Sequence, residues 1–131
     1  MASKTVLVVE DNADELMIYT TLLRHAGYTV VAADDFASAL HAAATHRPDV
    51  AVIDVNLGHA QLDGCDLAIA LRKQPQNADL AIIAHTAYGD VYRNALDRVG
   101  CERVLHKPSN PAALVEAVAD LIGPADPTLE V

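Results

Sequence analysis

Cysteine is scarce in this 131-residue chain: only Cys65 and Cys101 occur, far apart. No Cys-x-x-Cys pair and no Cys/His metal spacing is present, which leaves two small buried or half-buried thiols in a reducing compartment as the reading. Positive charge is scarce too. Nine Lys and Arg stand against 18 Asp and Glu, a net charge of −9, and the nine are spread along the chain. Nucleic-acid and anionic-membrane binding need clustered positive charge, so neither is expected. No apolar run approaches the roughly 18 residues of a transmembrane helix. The few residues before the first apolar run are too short for a signal peptide, so the expected location is the cytoplasm. No internal repeat and no second domain is visible. Residues 1–123 read as one domain and 124–131 as a short, proline-bearing disordered tail.

What is present is a set of short apolar runs alternating with helical patterns. Strands are expected over 5–9, 28–33, 50–54, 80–84 and 103–105, each β-branched or apolar and bounded by turn residues. A helix after Asn12 has Leu16, Tyr19, Leu23 and Ala26 on one side, with Asn12 and Glu15 spaced as a capping box and Gly27 as the stop. A second helix begins at Asp34-Asp35 and carries Phe36, Ala39, Leu40 and Ala43 inward. A third spans 64–73 and a fourth 88–99. A fifth opens on Asn110-Pro111 and ends at Gly123. Five strand–helix units in alternation predict a parallel sheet covered on both faces.

The run Val50-Ala51-Val52-Ile53-Asp54 organises the rest. It is a buried strand that ends on one carboxylate, at the sheet edge where open α/β folds bind ligands. Three other strands also end on groups suited to phosphoryl chemistry: Glu10 and Asp11 on the first, Thr86 on the fourth, Lys107 on the fifth. In a parallel sheet these carboxyl ends share one edge. Taken singly, each has an ordinary reading: helix-dipole acids for Glu10-Asp11, a turn or cap for Asp54, a solvated surface residue for Lys107. Together they describe a site. Glu10, Asp11 and Asp54 crowd negative charge, which in the absence of a counter-ion raises a pKa. Hard oxygen ligands with room for water suit Mg²⁺, with Mn²⁺ an acceptable substitute. A carboxylate can attack phosphorus to give an aspartyl phosphate, and Lys107 and Thr86 can serve the phosphoryl oxygens.

The segments Val8-Val9-Glu10-Asp11, Val52-Ile53-Asp54-Val55-Asn56-Leu57, Ile83-Ala84-His85-Thr86-Ala87 and Leu105-His106-Lys107-Pro108 resemble the receiver domain of two-component response regulators. The likeness covers roughly residues 5–122. It implies a doubly wound, flavodoxin-like (βα)5 fold with strand order 2-1-3-4-5. It implies Asp54 as phosphoacceptor, Asp11 as direct metal ligand and Glu10 as the acid that holds the metal through water. The backbone carbonyl of Asn56 would complete the metal site. Thr86 would be the switch hydroxyl, Lys107 the phosphate-contacting lysine, and Pro108 a proline after a cis bond. The implied partners are a sensor histidine kinase or histidine phosphotransfer protein, and a downstream target on the surface of the fourth helix, fifth strand and fifth helix. The implied activity is self-catalysed phosphorylation and dephosphorylation rather than turnover of a separate substrate.

Three departures from the family pattern stand out. Leu57-Gly58 replaces the usual Met-Pro region, and Asp63-Gly64 comes late. Val104 stands where a swinging aromatic is common. No output domain follows Gly123, so a stand-alone, single-domain type is expected. A stiff valine cannot act as a rotor, so Tyr88 at the start of the fourth helix becomes the expected relay from Thr86. Two other readings compete. An aspartyl-phosphate phosphatase or mutase would want an acid two residues after the nucleophile, where Asn56 stands. A phosphorylation-independent interaction module on the same fold would usually lack one of the key residues, and all are here.

Overall fold

The computed structural model describes residues 4–55, 64–87, 93–107 and 109–125. Five strands, β1 (Thr5–Val9), β2 (Thr29–Ala33), β3 (Val50–Ile53), β4 (Ala81–Thr86) and β5 (Arg103–His106), form one sheet in the order β2-β1-β3-β4-β5. Every pairing is parallel. The helices are α1 (Ala13–His25), α2 (Phe36–His46), α3 (Gly64–Lys73), α4 (Arg93–Val99) and α5 (Pro111–Ile122), with a 3-10 turn over Pro75–Asn77. The expected start of α4 at residue 88 lies outside the described residues.

Alternation along the strands feeds two apolar layers. Leu7, Val9, Ala51, Ile53 and Ile82 pack on one face beneath α2 and α3, through Ala39, Ala43, Leu67 and Leu71. Val6, Val8, Val50, Val52 and Ile83 pack on the other beneath α1 and α5, through Leu23, Leu114 and Val118. Strands buried on both faces are near-continuous apolar runs, which is why β1 and β3 were readable in the sequence.

Several boundaries differ from expectation. β4 continues through His85 and Thr86, and β5 through His106, because the two strands pair as far as Thr86 opposite His106. The capping box expected at Asn12 and Glu15 is only half formed. Asn12 Oδ1 accepts from Glu15 N at 3.0 Å, but the Glu15 carboxylate turns away to Tyr19 and Lys107, and Glu10 accepts from Asn12 N instead. A complete box forms at α2, where Asp35 and Ser38 cap each other. Of the expected tail, Pro124 and Ala125 are described: Lys4 Nζ donates to Pro124 O at 2.7 Å, and Ala125 packs on the second apolar layer. The remaining tail lies outside the described residues.

Candidate functional site

Backbone bonds fix the site residues just beyond the strand ends. Glu10 N donates to Ala33 O at 3.1 Å, Asp54 N to Val9 O at 3.0 Å, and Lys107 N to Thr86 O at 2.9 Å. Each side chain therefore leaves the same edge of the sheet at a height set by its neighbour. Gly64 closes the floor. Its N–H donates to Val55 O at 2.8 Å, and a Cβ there would collide with Asp54 O and lie 2.7 Å from Val55 Cα. Only glycine lets α3 begin this close to the strand that carries Asp54.

Carboxylate oxygens of Glu10, Asp11 and Asp54 come within 4.8 Å of one another. Glu10 and Asp54 are buried and Asp11 is exposed, so one ligand faces water. An all-oxygen set with an open side fits Mg²⁺, which keeps several waters when bound.

Lys107 also reaches this cluster. Its Nζ lies 2.6 Å from Glu10 Oε2, 3.1 Å from Glu15 Oε1 and 3.4 Å from Asp54 Oδ2. The acids are thus not uncompensated, as their sequence positions suggest; the lysine already supplies one counter-charge. Burial nevertheless pushes the Glu10 carboxyl up to about 7, against the Lys107 hydrogen bond, with the Asp54 charge adding to the rise. Burial would pull Lys107 down, but the Glu10 hydrogen bond and the Asp54 and Glu10 charges outweigh it, and its pKa rises. Three carboxylates lie within 3.4 Å of the one ammonium, and they hold Lys107 in its charged form.

Thr86 is fully buried at the end of β4, opposite His106, and its carbonyl accepts from Lys107 N. Val104 is 37% exposed on β5, opposite Ala84. Asn56, Tyr88 and Pro108, expected as metal-site carbonyl, relay and cis-proline, lie outside the described residues.

A second layer of side chains was not anticipated as part of the site. Tyr19, expected only as core, donates its hydroxyl to Glu15 Oε1 at 2.9 Å. Its ring meets His85 edge-on, with centroids 4.7 Å apart, and Lys107 Nζ lies 5.6 Å from the Tyr19 centroid. His85 Nε2 pairs with Ser109 Oγ at 2.9 Å, two residues after Lys107 in the chain. Burial, then the Lys107 charge, lowers His85 to about 4, so it is neutral near pH 7. Burial and the Glu15 bond raise Tyr19 to about 12. Glu15 falls below its usual range, because bonds from Tyr19 and Lys107 outweigh the cost of its burial. The i,i+4 spacing of Glu15 and Tyr19 was the one local signal for this layer.

Comparison with known proteins agrees with this geometry. The family model described as response regulator receiver domain matches residues 6–119. The polar-differentiation response regulator DivK of Brucella anthropi is 28% identical over 125 residues, which cover 93% of this chain and 98% of that protein. The chemotaxis protein CheY4 of Vibrio cholerae superposes with a TM-score of 0.84 at 30% identity, covering 92% of this chain and 100% of that one. The receiver domain of the sensor histidine kinase PA1611 from Pseudomonas aeruginosa PAO1 superposes with a TM-score of 0.83 at 30% identity, covering 93% and 99%. That structure has a magnesium ion coordinated in its active site cleft. With the family model spanning most of the chain and the strand order β2-β1-β3-β4-β5 beneath a shared acidic edge, this protein belongs to the response regulator receiver domains.

Proposed function

We propose that the chain is a phosphorylation-controlled switch in which Asp54 takes a phosphoryl group from the phosphohistidine of a sensor histidine kinase or a phosphotransfer protein. The observation that carries this reading is the meeting of Glu10, Asp11 and Asp54 with the Lys107 ammonium at one sheet edge. Asp54 is the acid of the three that stands at the end of the central strand, with its backbone pinned to Val9. Its carboxylate oxygen attacks phosphorus. The P–N bond to the donor imidazole breaks, and the imidazole leaves with the electron pair and takes a proton from solvent.

Asp11, Asp54 and Glu10 would hold Mg²⁺ or Mn²⁺, which when bound would supply positive charge against the phosphoryl oxygens. The chain's residues do the rest. Lys107 offers an ammonium already oriented toward Asp54, and Thr86 offers a hydroxyl from the neighbouring strand. No separate substrate is turned over: the receiver catalyses its own labelling and its own hydrolysis. The phosphoryl group then biases the surface of α4, β5 and α5 toward a protein partner, with the segment 86–92 that joins β4 to α4 as the mover. Among the described residues, no helix is long and apolar enough to cross a membrane. That suits a cytoplasmic location.

Incubation with acetyl phosphate and Mg²⁺, followed by intact-mass spectrometry, tests the assignment. Wild type should gain one phosphoryl mass, and Asp54→Asn should gain none. Full labelling of Asp54→Asn would refute it.

A further inference from the structure

We propose that Glu15 acts as a positioning residue that competes with the phosphoryl group for Lys107, and so sets the rate at which Asp54 is phosphorylated. The inference rests on the proposed role of Asp54 and adds a residue to it.

Three carboxylates hold the Lys107 ammonium, and they are not alike. Glu10 and Asp54 belong to the cluster whose oxygens converge for a cation. Glu15 sits outside that cluster, on the first turn of α1, yet its Oε1 lies 3.1 Å from Lys107 Nζ. A cation that draws on the oxygens of Glu10 and Asp54 weakens their pull on the lysine. It leaves the pull of Glu15 in place.

Glu15 is built to stay there. Its backbone N–H is tied to Asn12 Oδ1 at 3.0 Å, and the Tyr19 hydroxyl donates to the same Oε1 at 2.9 Å. Tyr19 is in turn seated against His85, which pairs with Ser109, two residues after Lys107. These contacts favour one rotamer of Glu15 and aim it at the lysine. A phosphoryl oxygen on Asp54 would have to draw the Lys107 ammonium against its contact with Glu15, which lies outside the acids that would hold the metal. Glu15 also adds a negative charge beside the path of an anionic donor. Both effects slow phosphorylation, so they predict the same sign.

The test is Glu15→Gln, which keeps an oxygen for the Tyr19 hydroxyl and removes the charge. The site is half-exposed and the change isosteric, so the fold is expected to survive, as a thermal melt will show. Asp14→Asn is the control: Asp14 is exposed on the same turn and takes one charge from the same helix end. Labelling by acetyl phosphate is measured at saturating Mg²⁺, and Mg²⁺ affinity is measured separately by NMR titration without donor. Glu15→Gln should label faster by about two- to fivefold, the scale of one half-exposed ion pair, while Asp14→Asn changes by less than about twofold. Mg²⁺ affinity of Glu15→Gln should hold or weaken slightly, so that tighter metal binding does not account for the gain. An unchanged or slower rate in Glu15→Gln overturns the proposal, as does an equal gain in Asp14→Asn or a gain matched by tighter Mg²⁺ binding. Wild type that takes up no phosphoryl group at Asp54 removes the proposed function itself. Normal labelling of wild type with no effect of Glu15→Gln removes only the role of Glu15.

Discussion

His85 differs from the other described histidines in being buried, at 2% exposure. It is packed against Tyr19 and Ser109, with Lys107 and Glu15 as the charged groups acting on it. Its folded pKa of about 4 lies below the ordinary 6.5, so the unfolded chain binds more protons between those values. Stability from His85 is therefore complete above about pH 6.5 and is lost as pH falls toward 4, by up to about 3 kcal/mol. Urea unfolding of wild type and His85→Gln across this window measures it. The stability difference between them should shrink, or change sign in favour of the variant, as pH drops from 7 to about 4.5. Parallel curves would show that His85 does not titrate as its burial requires.

At this scale the sequence was legible where chemistry is fixed by residue type and strand position. Asp54, Asp11, Glu10, Thr86 and Lys107 were each readable as a polar end to an apolar run. Glu15, Tyr19 and His85 were not, because their role arises where α1 meets the ends of β4 and β5, and these elements lie far apart in sequence. Glu15 also fits a capping box, and that local reading concealed the tertiary one.

Among the elements, α4 is anchored at its C-terminal end. Arg72 of α3 donates to Val99 O at 2.6 Å and Gly100 O at 3.3 Å, and its Nη2 pairs with Glu102 at 2.7 Å. Glu102 in turn accepts from Ile82 N at 2.7 Å. β5 is tied to α5 by Arg103 and Asp120 at 2.9 Å, and Val104 offers no ring to swing. With the C-terminal end of α4 and β5 both tied to neighbouring elements, the proposed signal from Thr86 is expected to pass through Ala87 toward α4. Beryllofluoride with Mg²⁺, a phosphoryl mimic, should shift backbone NMR signals more over residues 86–92 than over 103–105. Larger changes at 103–105 would place the switch on β5 instead. Strand limits were readable to within two residues because buried strands are unbroken apolar runs. The Pro75–Asn77 turn was not, since three residues show no periodicity. Its purpose is tertiary: the Asn77 side chain donates to Ala43 O at 3.3 Å.

For the whole molecule, alternation of strand and helix was enough to indicate a parallel, two-faced α/β sheet. The order β2-β1-β3-β4-β5 was not contained in periodicity. It came from the family likeness, because several right-handed windings satisfy the same pattern. Overall charge bears on function as well. A chain with net charge −9 adds further negative charge when it is phosphorylated, inside a site that already holds three acids. Lys107 offsets one of these charges, and the rest call for a divalent cation. Acyl phosphate formation at Asp54 is therefore expected to depend on the metal. Borohydride reduction converts an aspartyl phosphate to homoserine, which peptide mapping locates by residue. After acetyl phosphate treatment, homoserine should appear at position 54 with Mg²⁺ present and vanish in excess EDTA. Homoserine at position 11, or equal conversion of position 54 in EDTA, would rule out metal-dependent phosphorylation of Asp54.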